Sequence, residues 1–325
     1  MSTVSVIIRC YNEEAHIGRL LSGIMQQNGD TPEIIVVDSG STDATLSIAA
    51  QYPARILNIA KDDFSFGHSL NIGCEAATGD FLVIASAHVY PVYSDWIEHL
   101  IQPFENDRIA CVYGRQSGNE NTRFSERQVF ARWFPEQSDS NQDHPFCNNA
   151  NAAVRRSVWK RFRYDETLTG LEDLAWAKQV ISAGFRVTYQ ADAEVVHVHE
   201  ETRSQVLNRY RREAIAMKAI FPHEKFTFMK FVKMFLRNAF NDARLAGTQG
   251  VFWQHISSIL SFRLMQFWGT YRGYAQHGAV SKALRRKFYY PGEVARATDP
   301  AFQAERGRMK IDYSCHETEK GRKAS

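Results

Sequence analysis

With 325 residues, the chain is long enough to bury a sizeable hydrophobic core, in one large domain or in two smaller ones. Its composition is 44% hydrophobic and 23% charged, which excludes a disordered or fibrous protein, and its formal net charge of +3 gives no support to nucleic-acid binding. The N-terminus lacks a basic segment ahead of a long apolar one, and no apolar stretch reaches the roughly 18 residues of a spanning helix. We therefore expect a cytoplasmic protein without a secretory signal.

Short apolar runs alternate with helix-length segments through the first half of the chain. The runs are VSVIIRC, EIIVVD, ARILNI and DFLVIASA. Strands this apolar, separated by helices, indicate βαβ units and a parallel sheet that is covered on both faces. The predicted fold class is therefore α/β, and ligands are expected beyond the carboxyl ends of the strands.

The residues that follow these strands are the first candidates for ligand contact. They are Arg9 to Glu14, Asp38 to Asp43, Asp62 to Asn71 and Ser86 to His88. Asp38 ends a buried strand, and Gly40 allows a tight turn after it. A carboxylate at this place can accept a hydrogen bond from a nucleobase or a ribose, but an ordinary strand-to-helix turn with a good cap has the same pattern.

After the first half of the chain, the hydrophobic pattern is less regular, and it becomes helical again in the C-terminal part. A polar region from about Tyr113 to Arg155 shows no sustained period, and we expect loops with short elements there. LEDLAWAKQVISAGF then has helical spacing, and RVTYQADAEVVHVH alternates like a strand that ends in His197 and His199. From about Ser204 to Tyr290 the pattern is helical, with large aromatic side chains among basic ones.

Five cysteines are scattered along the chain without a C-x-x-C pair. They are Cys10, Cys74, Cys111, Cys147 and Cys315. This spacing predicts free or buried thiols in a reducing compartment, and neither a disulfide framework nor a zinc site.

Two segments together, VSVIIRCYNEE and IIVVDSGSTDATLSIA, resemble the nucleotide-binding half of glycosyltransferase family 2. Four more segments extend the resemblance over roughly residues 4–215, towards the rhamnosyltransferase-like branch: VYGRQ, NNANAAVRRSVW, GLEDLAWAKQVISAGFRVTY and ADAEVVHVH. The resemblance implies the GT-A (Rossmann-like) fold, a mixed and mostly parallel sheet flanked by helices, here with a C-terminal helical extension. It also implies transfer of a sugar from a nucleotide donor to a hydroxyl group, with inversion of the anomeric carbon.

The resemblance implies a catalytic pair and a set of donor contacts. Inverting transfer needs a base within hydrogen-bond reach of the acceptor hydroxyl, and Asp173 is expected to be that base, supported by Glu172. Acidic residues in a first helical turn also stabilise a helix without any catalytic purpose. The expected contacts to the nucleotide sugar are Arg9, Tyr11, Asn12, Glu13, Asp38, Ser39, His68, Asn71, His88 and Arg115.

The end of the fourth predicted strand departs from the family pattern. Most members carry an acidic D-x-D motif there, which helps to hold a divalent cation against the donor diphosphate, whereas this chain has Ser86, Ala87 and His88. Without these carboxylates the chain lacks the oxygen ligands that Mg²⁺ prefers. Use of a divalent cation, Mn²⁺ or Mg²⁺, is therefore open.

Three interpretations of His88 remain. It shares a softer cation with His197 or His199, it contacts a phosphate or sugar directly without a metal, or it is structural. A metal-free site would suit a CMP-activated acidic sugar, with its single phosphate, as well as an ordinary nucleoside diphosphate sugar carrying a hexose or deoxyhexose.

Three regions are predicted: a GT-A catalytic domain at 1–220, a helical extension at 221–290 and a polar tail at 291–325. Basic and aromatic helices such as those of the extension favour peripheral contact with the inner membrane, although a helix packed on a domain needs an apolar stripe too. The expected partners are a nucleotide-sugar donor and a glycan or lipid-linked glycan acceptor, with no nucleic acid.

Two alternatives to a glycosyltransferase can be weighed from the sequence. A sugar nucleotidyltransferase would carry a glycine-rich, lysine-bearing loop after the first strand, and RCYNEEAHIG has neither feature. A catalytically inactive glycan- or nucleotide-binding scaffold with the same fold is left open by the missing D-x-D motif.

Overall fold

A sheet of eight strands, with helices on both faces, lies at the centre of the computed structural model, which describes residues 3–290. The strands are β1 (Val4–Cys10), β2 (Glu33–Asp38), β3 (Ala54–Asn58), β4 (Phe81–Ser86), β5 (Val89–Pro91), β6 (Ile109–Ser117), β7 (Asn151–Arg155) and β8 (Arg186–His197). Their order across the sheet is β3-β2-β1-β4-β7-β6-β8-β5. β1 to β4 are parallel, as are β6 and β8, whereas β5 and β7 are antiparallel to their neighbours. The predicted mixed, mostly parallel α/β sheet is confirmed.

The helices connect the strands in the first two thirds of the chain and then follow one another. They are α1 (Ile17–Met25), α2 (Thr45–Ala49), α3 (Phe66–Ala76), α4 (Trp96–Ile101), α5 (Phe124–Trp133), α6 (Arg156–Arg161), α7 (Glu172–Ser182), α8 (Arg203–Ile220), α9 (Phe228–Thr248), α10 (Phe252–Tyr274) and α11 (Lys282–Tyr289). Short 3-10 turns lie at Lys61–Asp63 and Gln102–Glu105.

The central strands are apolar throughout because each face of the sheet packs against helices. On one face, Ile7 and Ile35 share a core with side chains of α3 and α7. On the other face, Val6 and Ile34 share a second core with side chains of α1 and α4. Successive strand residues point to opposite faces, so an apolar run is what a doubly covered sheet requires.

The polar middle region contains more regular structure than its composition predicts. α5 is a helix of 10 residues, and β7 is a central strand between β4 and β6. Phe124 and Phe130 anchor α5 in the interior. Asn151, at the start of β7, is completely buried and donates to the carbonyl oxygens of Arg115 (2.9 Å) and Ala193 (2.8 Å). A polar side chain thus takes an interior position that an apolar pattern cannot reveal.

The helices after β8 pack closely on one another. A Cβ added to Gly273 of α10 would lie 2.5 Å from the carbonyl oxygen of Arg211 and from the Cβ of Ala214, both in α8. Arg263 of α10 forms a buried ion pair with Asp242 of α9, at 2.7 Å between Nε and Oδ2.

Within residues 3–290 the chain divides into two units after Gln276, so α8 to α10 belong to the same unit as the sheet. In the second unit, α11 begins after Ser281, whose Oγ accepts a hydrogen bond from the backbone of Leu284 (3.2 Å). α8 ends at Ile220, but a domain boundary there stays a prediction. The predicted tail at 291–325 and Cys315 lie outside the described residues.

Two further expectations concern thiols and membrane spans. Cys10, Cys74, Cys111 and Cys147 are buried free thiols, as predicted. Among residues 3–290, none of the helices combines the length and the apolar character needed to cross a membrane.

Candidate active site

The loops after β1 and β2 interlock at the carboxyl edge of the sheet. Asn12 accepts a hydrogen bond at Oδ1 from the backbone of Thr42 (2.8 Å), and its own backbone donates to Ser41 Oγ (2.9 Å). The backbone of Glu13 donates to Thr45 Oγ1 (2.7 Å). Asn12 has a φ of 53°, a left-handed conformation that asparagine tolerates better than most residues. The polar residues after β1 therefore shape the loop as well as line the edge.

Asp38 ends β2, and its carboxylate closes its own turn. Oδ2 accepts hydrogen bonds from the backbones of Gly40 (2.8 Å) and Ser41 (2.9 Å), and Oδ1 accepts one from Ser41 Oγ (2.5 Å). Gly40 has a φ of 87°, which explains a glycine at this position. Ser39 is buried and donates from Oγ to the carbonyl oxygen of Cys10 (3.4 Å). A nucleoside contact by Asp38 would exchange one of these bonds and stays a prediction.

Glu172 and Asp173 begin α7 beside the end of β1. Leu171, just before them, has φ 55° and ψ 30°, a strained conformation for a non-glycine residue that is concentrated at functional sites. Both carboxylates are buried, with 4% of Glu172 and 9% of Asp173 exposed. Nη1 of Arg9 lies 3.0 Å from Oε1 of Glu172, so β1 and α7 meet through an ion pair.

β1 also connects this acidic pair with Asp38. Cys10, next to Arg9, is paired in the parallel register with Asp38. Asp38 and Glu172 therefore lie at the same edge of the sheet. The guanidinium carbon of Arg9 lies 4.9 Å from the ring centre of Phe66, and that of Arg212 in α8 lies 4.5 Å from the same ring. Arg9 and Arg212 thus contact the same aromatic ring.

The carboxyl group of Asp173 titrates near neutral pH. Burial raises its pKa to about 7, and the neighbouring Glu172 carboxylate adds to the effect. Oδ2 accepts a hydrogen bond from the backbone of Asn149 (3.0 Å), and Oδ1 accepts one from the backbone of Leu174 (2.8 Å). A fixed carboxyl group with a pKa near 7 is suited to removing a proton.

Three histidines from the ends of β4 and β8 form a cluster. One ring nitrogen from each of His88, His197 and His199 lies within 4.8 Å of those of the other two. The rings of His88 and His197 stack at 5.0 Å between centroids. The structure thus brings together the three histidines that the sequence pattern predicts as alternative cation ligands.

Nδ1 of each histidine lies within hydrogen-bond distance of a side-chain oxygen. His88 pairs with Glu13 Oε1 at 2.8 Å, and His197 with Gln116 Oε1 at 2.7 Å. His199 pairs with Oε1 of Glu126 in α5 at 2.8 Å. This leaves Nε2 of each ring for another partner, and Nε2 of His197 is buried without any hydrogen-bond partner in the described structure.

Neighbouring groups shift the pKa values of His88 and His197 in opposite directions. Burial lowers the pKa of His197 well below its usual value, and His199 and His88 lower it further. Burial also lowers the pKa of His88, but the Glu13 carboxylate outweighs this effect, so the net shift is upward. Three imidazoles suit Mn²⁺, Co²⁺ or Zn²⁺ and fit Mg²⁺ poorly.

His68 and Asn71 of α3 have structural partners. Nδ1 of His68 lies 2.9 Å from Glu166 Oε2. Asn71 Nδ2 donates to the carbonyl oxygen of Tyr164 (2.9 Å) and to Glu166 Oε1 (2.8 Å). Asn71 Oδ1 accepts from Trp159 Nε1 (3.2 Å) and from the backbone of Tyr164 (3.1 Å). Because these bonds use the whole hydrogen-bonding capacity of the Asn71 amide, the geometry favours a structural role over the predicted donor contact.

Tyr11 and Arg115 lie at two different parts of the edge. The Tyr11 hydroxyl is 3.5 Å from Lys61 Nζ. Arg115 lies between Glu136 (3.5 Å) and Glu194 (3.6 Å). A cavity of about 530 Å³ opens beside it, lined by Arg115, Gln116, Ser117, Gly118, Asn119, Glu120, Arg127, Phe130, Ala131 and Phe134. Because Gln116 also contacts His197, this cavity adjoins the histidine cluster.

The sequence pattern does not identify Gln116, Glu126 and Arg209 as residues of the site. Gln116 and Glu126 hold two of the three histidines, and Arg209 of α8 donates to Glu126 Oε1 (2.9 Å) and Glu201 Oε2 (2.7 Å). Two histidines at the end of a strand need hydrogen-bond partners for their rings, but nothing in the spacing of the strand indicates which distant side chains supply them.

Comparison with known proteins supports the resemblance. A family model described as Glycosyl transferase family 2 matches residues 5–162. The chain is 30% identical over 221 residues to the O-antigen chain rhamnosyltransferase RfbN of Salmonella typhimurium, a match that covers 64% of this chain and 70% of RfbN. It is 28% identical over 224 residues to the O-antigen chain rhamnosyltransferase WbaN of Salmonella anatum, covering 65% and 70%.

Solved structures share the fold at low sequence identity. The mannosyltransferase PcManGT of Pyrobaculum calidifontis, in complex with GDP-Man and Mn²⁺, has a TM-score of 0.56 at 18% identity, covering 90% of this chain and 88% of PcManGT. TarS residues 1–349 of S. aureus has a TM-score of 0.52 at 14% identity, covering 85% and 93%. At these identities the likeness concerns the fold alone.

Proposed function

The chain belongs to glycosyl transferase family 2, and from this we propose that it moves a sugar from a nucleotide-sugar donor to a hydroxyl group of a glycan or lipid-linked glycan. We place the reaction in bacterial surface polysaccharide biosynthesis, since two relatives are named as O-antigen chain rhamnosyltransferases. The same relatives favour a deoxyhexose donor over a CMP-activated acidic sugar.

The observation that carries this proposal is Asp173, a buried carboxyl group whose pKa is raised to about 7 at the carboxyl edge of the sheet. In the proposed reaction the acceptor oxygen attacks the anomeric carbon while Asp173 takes the hydroxyl proton. The bond between the anomeric carbon and the donor phosphate oxygen breaks, and its electron pair leaves with the nucleotide. One displacement of this kind inverts the anomeric carbon.

Glu172 and Arg9 set the conditions for that proton transfer. The negative charge of Glu172 raises the pKa of Asp173, while its ion pair with Arg9 holds the first turn of α7 against β1. The hydrogen bonds from Asn149 and Leu174 fix the Asp173 carboxylate in one orientation. A base held in this way loses little freedom when the acceptor binds.

Donor contacts are proposed along the loops after β1, β2 and β4, with Tyr11, Asn12 and His88 partly exposed there. A divalent cation fits the histidine cluster because His197 Nε2 is buried and has no hydrogen-bond partner within residues 3–290. His88, His197 and His199 would hold it, and when bound it would neutralise charge on the donor phosphates.

We also propose that the acceptor is presented at a membrane surface that α9 contacts. Met229, Leu236 and Phe240 of α9 are 73%, 59% and 68% exposed. Lys233 and Arg244 lie on the same stripe at helical spacing, and the single acidic residue of α9, Asp242, is buried in its ion pair. A face that combines apolar and cationic side chains without an exposed acid fits an anionic bilayer surface.

Asp173→Asn tests the proposed reaction. The variant should lose at least about 100-fold in transfer rate, because the amide cannot accept the proton, while nucleotide binding measured by thermal shift persists. The exposed Asp192→Asn is the matched control and should transfer as the wild type does. Transfer by Asp173→Asn at the wild-type rate would refute the assignment.

A further inference from the structure

The rings of His88, His197 and His199 come together where the carboxyl ends of β4 and β8 meet. The Nδ1 atoms of His88, His197 and His199 are each within 2.8 Å of a side-chain oxygen. Two of those oxygens belong to the carboxylates of Glu13 and Glu126, which accept hydrogen bonds and cannot donate them when ionised. Each ring therefore donates from Nδ1–H to its oxygen, and Nε2 is the nitrogen left for a ligand.

In the neutral state that a metal ligand requires, each Nε2 carries a lone pair, and a shared cation is the natural partner of several lone pairs at one point. His197 is only 6% exposed, and its Nε2 has no hydrogen-bond partner among the described residues. Leaving a buried polar atom unpaired destabilises the folded state, and a ligand bound at Nε2 would remove that cost. An anion would need donors in place of these lone pairs.

The oxygen partners behind the rings match those of a metal centre. Histidine ligands of metals commonly donate their second nitrogen to a carboxylate or an amide oxygen, which fixes the tautomer and strengthens the ligand. Glu13, Gln116 and Glu126 supply these oxygens from three separate elements of the fold. Glu126 is further held by Arg209 at 2.9 Å, so its orientation does not depend on His199 alone.

We propose that His88, His197 and His199 form a three-imidazole site for a borderline dication of the Mn²⁺, Co²⁺ and Zn²⁺ class, which does not accept Mg²⁺. The residues after β4 are Ser86, Ala87 and His88, where the resemblance to the family predicts an acidic motif, so the ligands offered at this edge are the nitrogens of the three histidines. Imidazole favours the later first-row metals, whereas Mg²⁺ requires oxygen ligands and keeps its waters. Only the role of the cation in transfer, not its binding, rests on the proposed function.

Direct metal titration tests this site. The whole chain, treated with EDTA and dialysed, is titrated with Mn²⁺, Co²⁺, Zn²⁺ and Mg²⁺ by calorimetry, and its melting temperature is followed with each metal. We expect one binding event and a higher melting temperature with the first three metals and neither with Mg²⁺. Bound Co²⁺ should also give visible absorption bands typical of nitrogen ligation.

Single substitutions test whether metal binds to this cluster or to other histidines. His88→Ala should weaken binding at least about 100-fold, and Glu13→Gln, which keeps a hydrogen-bonding group, should weaken it about 10-fold to 100-fold. His223→Ala, at an exposed position, is the control and should bind as the wild type does. Because His197 is buried, the partly exposed His88 is the better position to change, and circular dichroism verifies that the variant is folded.

The outcomes distinguish this inference from the proposed function. Equal affinity for Mg²⁺ and Mn²⁺, absence of binding by any metal, or wild-type binding by His88→Ala would overturn the three-imidazole site. Sugar transfer that proceeds in EDTA together with absent metal binding would overturn the site and leave the glycosyltransferase proposal intact. Selective metal binding without any sugar transfer would support the site and contradict the proposed function.

Discussion

Nη1 of Arg9 lies 3.0 Å from Oε1 of Glu172, although 163 positions separate the two residues in the chain. This ion pair joins the first strand of the sheet to the helix that carries Asp173. It also places a fixed cation and a second carboxylate beside the proposed base. The protonation of Asp173 is thus coupled to contacts made by β1, and four predictions follow from this and from the outer helices.

The transfer rate should depend on the protonation of Asp173. The base acts in its deprotonated form, and its pKa is raised to about 7 by burial and by Glu172. Below pH 7, kcat/KM should therefore fall about tenfold for each pH unit, and above it the rate should level off. A rate that is constant between pH 5 and pH 7 would be incompatible with this base.

Glu172→Gln should shift that profile. The substitution removes the negative charge that contributes to the raised pKa of Asp173, while burial remains. The midpoint of the acidic limb should move to lower pH by about one unit, with a reduced maximal rate because Arg9 loses its partner. Glu200→Gln, at an exposed position, serves as control. An unchanged midpoint would mean that Glu172 acts only on the packing of α7.

The outward face of α9 should bind anionic membranes. Vesicles containing phosphatidylglycerol should sediment the protein at low salt, and binding should weaken as salt rises, since exposed charges are screened. Replacing Leu236 and Phe240 by Gln should reduce sedimentation at least about fivefold, because two exposed apolar side chains no longer enter the interface. Lys233→Glu should act in the same direction.

Two controls accompany the membrane test. Val92→Gln removes an exposed apolar side chain outside the helices, and Lys160→Glu reverses an exposed charge on α6. Both should leave sedimentation unchanged. Equal binding to neutral and anionic vesicles, or no effect of the α9 variants, would argue that this face has another role.

Gly273→Ala should destabilise the packing of α10 on α8. The added Cβ would lie 2.5 Å from the carbonyl oxygen of Arg211, and backbone cannot yield as a flexible side chain does. We expect the free energy of unfolding to fall by about 1–3 kcal/mol in urea denaturation. Gly247→Ala in α9 meets nothing within 4 Å and should raise stability by up to about 1 kcal/mol. Equal effects of the two substitutions would show that packing is not the cause.

The sequence by itself determined the first half of the fold. β1, β2 and β4 were predicted because their apolar runs are continuous, which is the pattern of a sheet buried on both faces. The polar residues after them mark the edge where ligands are expected. Helical spacing in LEDLAWAKQVISAGF likewise predicts the helix that Glu172 and Asp173 begin.

Only the tertiary structure decided which distant residues meet. Arg9 with Glu172, Gln116 with His197 and Glu126 with His199 are hydrogen-bonded pairs, and the last two join residues 81 and 73 positions apart. Hydrophobic periodicity reports which face of an element is buried, but it does not report which element lies opposite. Burial and the charge of neighbouring groups likewise set the pKa of Asp173, so the chemistry of the site depends on distances that exist only in the folded chain.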